Sequence, residues 1–354
     1  MISTSKFTAE MLRNLSKDYD ENVFFSPYSI ATAFAIVANG AKRNTADEMW
    51  NVLPDPNSWI GLSNIDTVNV ANGIWLQDGI SLYASYERLI STYAAEYAHW
   101  DFKNNAEGGR LEANRWAFEK TKERIKDLFP EGSMDDLTRL VIVNAIHFKD
   151  SWAEKFDKSR TVPDTFETPT GPVTVQMMKA RKRKVQVLKG EDAFAVVLPY
   201  QNSALDMAII LPNHPSLRVP VENYLGSYLE DLNDRRMTGI MTLDLEIPKF
   251  KMETKYDLIP AMMQAGMWEV FTDNSDLSGI SPDEPNLKIG AARHKAFVEV
   301  NEEGTEAAAA TGIAVARCLS IEMTQTFRVD QPFIPVIRYN GQPVFTGRVV
   351  DPTK

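Results

Sequence analysis

The segment Leu140–Phe148, with the sequence LVIVNAIHF, limits the possible folds more than any other. It is apolar almost throughout instead of at every second position, so as a strand it has to be covered on both faces. That calls for a sheet with packed layers above and below it. The chain has 354 residues, 44% of them hydrophobic, which is enough material for such a core as one large domain or two smaller ones. No change of composition marks a linker, and no repeat or low-complexity tract is present. One domain over residues 1–354 is the expectation.

The periodicity changes along the chain. The first 135 residues read mostly helical. Phe7, Met11, Leu12 and Leu15 mark one apolar helical face, and helix-like segments cover residues 29–40, 45–53, 81–96 and 107–129. Asn44 to Glu48 reads as a helix start with early acidic charge. Residues 68–76 interrupt this with a short strand-like run. Later segments read as strands at residues 173–177, 184–188, 193–198, 206–211, 241–247, 296–300 and 343–350, with one late helix at Leu258–Ala265 ended near Gly266. The order predicts an α+β fold, with a helix-rich part packed on a large, mainly antiparallel sheet system.

The formal charge is −10, which favours solubility and argues against non-specific nucleic-acid binding. Against that trend runs the basic stretch Lys179, Arg181, Lys182, Arg183 and Lys184. It reads either as a solvated strand edge or as an exosite for a heparin-like polyanion or an acidic protein. No run of about 18 apolar residues is long enough to cross a membrane as a helix. The opening residues lack the basic start and apolar middle of a secretion signal. The chain is therefore read as cytoplasmic or as a mature secreted form. The lone cysteine, Cys318, excludes an intrachain disulfide but not export. The sequon at Asn14 falls within the first helix, which argues against its use.

Catalytic signatures are missing. His99, His147, His214 and His294 lie in no HExxH or CxxC setting, and no G-x-S-x-G elbow or glycine-rich phosphate loop is present. An enzyme, a metal site and a cofactor are not expected. His147, inside the apolar strand, reads as a satisfied core histidine.

A second telling stretch is residues 302–310, EEGTEAAAA, followed by TGIAVARCLS. Its side chains offer little to anchor a loop, yet they fit a crowded interior. Such a segment suits two homes, one exposed and one buried. Residues 22–30 (NVFFSPYSI), 144–152 (NAIHFKDSW) with Phe156, 205–212 (LDMAIILP), 247–250 (IPKF), 276–279 (DLSG), 294–300 (HKAFVEV) and 343–347 (PVFTG) with Asp351 and Pro352 lie around it. Taken in order, these blocks resemble those of the serpins, a family of serine protease inhibitors, over almost the whole chain.

The resemblance implies a large central sheet, two smaller sheets and an exposed C-terminal reactive-centre loop, here residues 302–323 with its hinge. It implies a suicide trap acting as a monomer. A target serine or cysteine protease forms an acyl-enzyme with the loop, and the cut loop then inserts into the central sheet and disables the protease. The hinge would be Glu302, Glu303, Gly304, Thr305, Glu306, Ala307, Ala308, Ala309 and Ala310. With Thr305 facing inward, alternation carries Ala307, Ala309, Thr311 and Ile313 inward too, and none is charged. Ser26, Ser29, Asn144 and His294 match the family's shutter, where strands part, and each can equally be a satisfied core group. Trp152, Lys249 and Glu302 match the breach, where insertion begins. The bait residue is left between Arg317, which suits a trypsin-like protease, and Cys318 followed by Leu319, which suits a chymotrypsin-like, elastase-like or cysteine protease. A non-inhibitory binding or chaperone-like serpin and a polyanion-assisted inhibitor are the alternatives. The family also favours an extracellular, secreted protein.

Overall fold

The computed structural model describes residues 1–16, 18–284, 287–305 and 324–354, the side chain of Ser63 excepted. Glu306, Ala307, Ala308, Ala309, Ala310, Thr311, Ile313, Arg317, Cys318 and Leu319 lie outside the described residues. The helices are α1 (Thr4–Leu15), α2 (Pro27–Ala38), α3 (Arg43–Val52), α4 (Ala84–Thr92), α5 (Phe102–Lys120), α6 (Arg218–Asn223), α7 (Leu225–Asp231) and α8 (Leu258–Ala265). Helix α2 is buried along its whole length. It starts where the Ser26 hydroxyl accepts from the Ser29 amide and Pro27 presets the first turn.

A seven-stranded sheet carries the expected central strand. Its order is β3 (Glu96–Trp100), β2 (Val68–Gln77), β4 (Leu140–Phe148), β12 (Ala291–Asn301), β13 (Gly304–Thr305) and β5 (Asp150–Ser151), with β11 (Phe250–Asp257) on the far side of β12. Strand β4 is buried at every position. Leu140, Ile142, Ile146 and Phe148 enter the main core. Val141, Val143 and Ala145 enter a second cluster that includes Phe102, Ala113 and Ala117 of α5. The two covering layers inferred from LVIVNAIHF are thus the main core and α5. Pairing is antiparallel except at β2–β3 and β4–β12.

The second sheet is nine-stranded, in the order β1 (Val23–Phe25), β16 (Gln342–Arg348), β15 (Ile334–Tyr339), β9 (Leu205–Pro212), β8 (Ala193–Pro199), β7 (Gly171–Lys189), β10 (Thr238–Pro248) and β14 (Thr326–Arg328), with β6 (Val162–Thr168) on β7. The two smaller sheets implied by the resemblance are joined here by hydrogen bonding, because β7 runs 19 residues without a break. Residues 173–177 and 184–188 are both parts of it.

Some expected boundaries move. Helix α5 begins at Phe102 and stops at Lys120, earlier at both ends than residues 107–129. Left-handed backbone at Lys122, Glu123 and Asp127 ends it. The following linker is tied back by Asn114, whose amide donates to the Phe129 carbonyl at 2.9 Å and accepts from the Phe129 amide at 2.7 Å. Residues 81–96 contain only α4 and then lead into β3, an exposed edge strand whose weak apolar pattern hid it. Helix α3 is flanked by Lys42 without a side-chain cap, and Asn44 instead donates to Glu48 and Glu269. The Asn14 amide donates to the Ala261 carbonyl, so the sequon faces α8.

Candidate functional site

Two polar clusters sit along the junction of β4 and β12. The lower one gathers four residues singled out in the sequence. Strand register sets Asn144 beside His294, and α2 brings Ser26 and Ser29 from below. The Ser26 amide donates to His294 Nε2 at 3.1 Å, so the ring proton sits on Nδ1 and is donated to Asn144 Oδ1 at 2.5 Å. The Asn144 amide in turn donates to the Ser29 carbonyl, the Ser29 hydroxyl and Asn72 Oδ1. The Ser26 hydroxyl donates to the Val344 carbonyl at 2.6 Å. One network therefore links β4, β12, β2, α2 and β16. Burial pushes the His294 pKa down to about 3, so the ring is neutral and holds one tautomer. Asn72 belongs to this network but nothing in its local sequence marks it. His147 points to the other face of β4, near Phe297, and burial with the Arg124, Lys149 and Lys122 charges lowers it to about 4. His147 is buried.

The upper cluster holds the start of the hinge. Gly304 and Thr305 already form a short strand, antiparallel to β12 on one side and to β5 on the other. Thr305 is fully buried, and its hydroxyl shares a 2.6 Å hydrogen bond with that of Tyr200. Tyr200 stacks on Trp152 at 4.7 Å. Trp152 donates from its indole to the Asn301 carbonyl and from its backbone to the Glu303 carbonyl. Lys249 meets Glu302 at 3.0 Å, and Thr161 donates to the same carboxylate at 2.8 Å. Burial raises the Glu302 pKa, but hydrogen bonds from its own backbone, Thr161 and Lys249 outweigh this and leave it lowered. Glu303 pairs with Lys155 at 2.6 Å and Lys158 at 3.0 Å. Gly304 has φ of 154°, and a β-carbon there would stand 2.2 Å from the Asp150 carbonyl oxygen. Only glycine lets β13 approach β5 so closely. Tyr200, Thr161, Lys155 and Lys158 are hinge partners that sequence reasoning did not single out, since each comes from another segment.

The basic stretch is divided by the fold. Lys179 lies between Asp164 and Glu246 at 3.1 and 3.3 Å. Arg183 turns to Glu154, to the Lys155 carbonyl and over the Phe156 ring. Arg181, Lys182 and Lys184 are exposed. Among the described residues no group of acidic, histidine or cysteine side chains is arranged to hold a metal ion.

Comparison with known proteins agrees with this architecture. The serpin family profile, described as serine protease inhibitor, matches residues 3–352. Serpin B6 of Macaca fascicularis is 36% identical over 98% of this chain and 97% of its own length. The crystal structure of Serpin48 from the insect Tenebrio molitor superposes with a TM-score of 0.87 at 27% identity, covering 98% of this chain and 96% of that one. Human thyroxine-binding globulin, solved as a complex with thyroxine, superposes with a TM-score of 0.85 at 25% identity over 99% of this chain and 98% of that one. Shared blocks, shared topology and a match along nearly the full length lead to one conclusion: the chain belongs to the serpin family.

Proposed function

We propose that this chain is an irreversible suicide-substrate inhibitor of serine or cysteine endopeptidases that traps its target by inserting the cleaved loop into the seven-stranded sheet. Most serpins are protease inhibitors and some are not, so the family alone does not decide. One observation carries the reading. Strand β13 stands antiparallel between β12 and β5, directly above the parallel pair β4–β12. Parallel ladders are somewhat weaker per residue than antiparallel ones. A loop that followed β13 downward would replace one parallel pairing by two antiparallel pairings.

The register supports the idea residue by residue. Val300 faces Thr305, so continuing the ladder would bring Ala307 to Val298, Ala309 to Ala296, Thr311 to His294 and Ile313 to Ala292. All four strand residues are buried, so the incoming partners need small or apolar side chains. Thr311 would arrive where His294 and Asn144 must separate. Its hydroxyl both donates and accepts, so it can take the His294 proton contact and return one to Asn144.

In this mechanism the chain supplies no catalytic group. The protease nucleophile attacks the carbonyl carbon of Arg317 or Cys318, its proton passes to the protease's base, and an ester or thioester forms as the peptide bond to the next residue breaks and that residue leaves as a protonated amine. Loop insertion then precedes deacylation. Arg317 as bait selects a trypsin-like target, through an acidic specificity pocket. Cys318 selects a chymotrypsin-like, elastase-like or cysteine protease. The test is incubation with a small protease panel, followed by denaturing gels and mass spectrometry of the released C-terminal peptide. An SDS-stable complex is expected, with the peptide beginning at Cys318 or Leu319. Loop cleavage without a stable complex for every protease tested would refute the proposal.

A further inference from the structure

Helix α2 is buried along its length, yet two of its hydroxyls are left without a bond. Ser29 joins the network at the sheet junction. Tyr28 and Thr32 lie as deep, 6% and 4% exposed, but neither side-chain oxygen has a hydrogen-bond partner among the described residues. A buried hydroxyl in that state destabilises the fold unless something outside the chain bonds to it. Four residues apart on a helix, the two side chains share one face.

That face lines a cavity of about 530 Å³. Its other walls are the 3-10 turns Pro56–Trp59 and Leu62–Asn64 and the chain from the end of α4 to Ala94. The volume is that of a small-molecule site and far exceeds the roughly 30 Å³ that one bridging water needs. Trp59 tilts against the Tyr28 ring at 5.5 Å, and its indole nitrogen donates to the Pro343 carbonyl, so it offers the cavity ring carbons only. The Tyr93 hydroxyl accepts from Asn39 at 2.9 Å, which leaves its own hydrogen to give. The Asn57 amide nitrogen is held by Asp55, which leaves its carbonyl oxygen to accept.

The lining also selects by charge. Among the described residues no charged side chain lines the cavity. Burial raises the Tyr28 pKa to about 12, so the phenol keeps its proton. An anion would find no cation here, and a cation no carboxylate. A hydroxyl both donates and accepts, so its best match is another hydroxyl. The aromatic corner of Tyr28 and Trp59 suits an apolar C–H face.

We propose that this cavity is a binding site for an uncharged, hydroxylated molecule of monosaccharide size. Ring hydroxyls of the sugar supply the missing partners of Tyr28 and Thr32, Tyr93 and Asn57 bond its outer edge, and the Tyr28–Trp59 corner takes its C–H face. The site uses neither the hinge nor the breach, so it stands or falls apart from the inhibitory reading.

The probes are methyl glycosides of glucose, galactose, mannose and N-acetylglucosamine, each titrated against the full chain to about 50 mM, enough to reveal a millimolar site. Saturation-transfer NMR and the thermal midpoint are the readouts. Tyr28→Phe and Thr32→Val each remove one hydroxyl and keep the shape. At least one glycoside is expected to bind and to raise the midpoint of the wild type. Each variant is expected to bind it about threefold to tenfold more weakly, the worth of one hydrogen bond. Without sugar the variants should unfold no lower than the wild type, because no internal bond is lost. The same glycosides coupled to albumin tell whether the site takes the end of a glycan or only a free sugar. No binding by any glycoside, or an affinity unchanged in either variant, would overturn the proposal. A clear drop in the sugar-free midpoint would do so too, since it would give the hydroxyls a partner inside the chain.

Discussion

At the scale of single residues, His294 connects the sheet junction to pH. Its Nε2 accepts from Ser26, so protonation would set two N–H groups against each other in a fully buried site. The folded pKa, about 3, lies below the ordinary value of 6.5. Between these values the unfolded chain binds a proton that the folded chain refuses. The stability held by neutral His294 is therefore complete above about pH 6.5 and is lost as pH falls towards 3. His147, lowered to about 4, acts in the same direction. Glu222, Asp206 and Asp150 act in the opposite one, since burial raises their pKa values and the folded chain gains protons as pH falls. Between pH 6.5 and 5 we expect urea unfolding to show a loss of about 1–2 kcal/mol from His294. His294→Gln should flatten that slope, and an unchanged slope would remove His294 as its source.

At the scale of elements, β13 is short and densely held. Thr305 is buried against Tyr200, and Gly304 fits only because it lacks a β-carbon. Thr305→Arg would bring a charge to the position that must stay buried during insertion. Removing that charge from water opposes the inserted state. The variant is expected to be cleaved at the normal rate and to release active protease, so SDS-stable complex falls at least about tenfold, a change worth about 1.4 kcal/mol. Undiminished complex would contradict the insertion register. The uncharged character of the alternate positions that start at Thr305 was legible in the sequence, because the requirement acts on each residue in turn. The anchors of the hinge were not. Tyr200 and Thr161 reach Thr305 and Glu302 from over a hundred residues away. Their own segments look like any strand end or turn.

At the scale of the whole molecule, the seven-stranded sheet holds a weaker parallel junction between two well-packed halves. Strand β4 serves both cores, and β12 pairs with β11 along its length but shares its other edge between β4 and β13. Cleavage within residues 306–323 by a protease that is not trapped would let the loop complete this sheet. The thermal midpoint is then expected to rise by at least about 10 °C, several kcal/mol in a chain of this size. An unchanged midpoint after confirmed cleavage would mean that the loop stays outside.

The sequence by itself determined the layers and the composition of the hinge. Nine successive buried positions in Leu140–Phe148 require cover on both faces, and uncharged small residues are needed at each inward step of an inserting strand. These are local demands, met by the side chain at each position. Tertiary structure alone decided which partners meet. It joined the two smaller sheets through β7, brought Asn72 into the polar network and assigned Lys179 and Arg183 to carboxylates. It also raised Arg181 and Lys182 on a bulge of β7, opposite the single residue Asp244 of β10. The bulge shows the reason most plainly: two residues against one is a property of a pair of strands, and register exists only once both strands are in place.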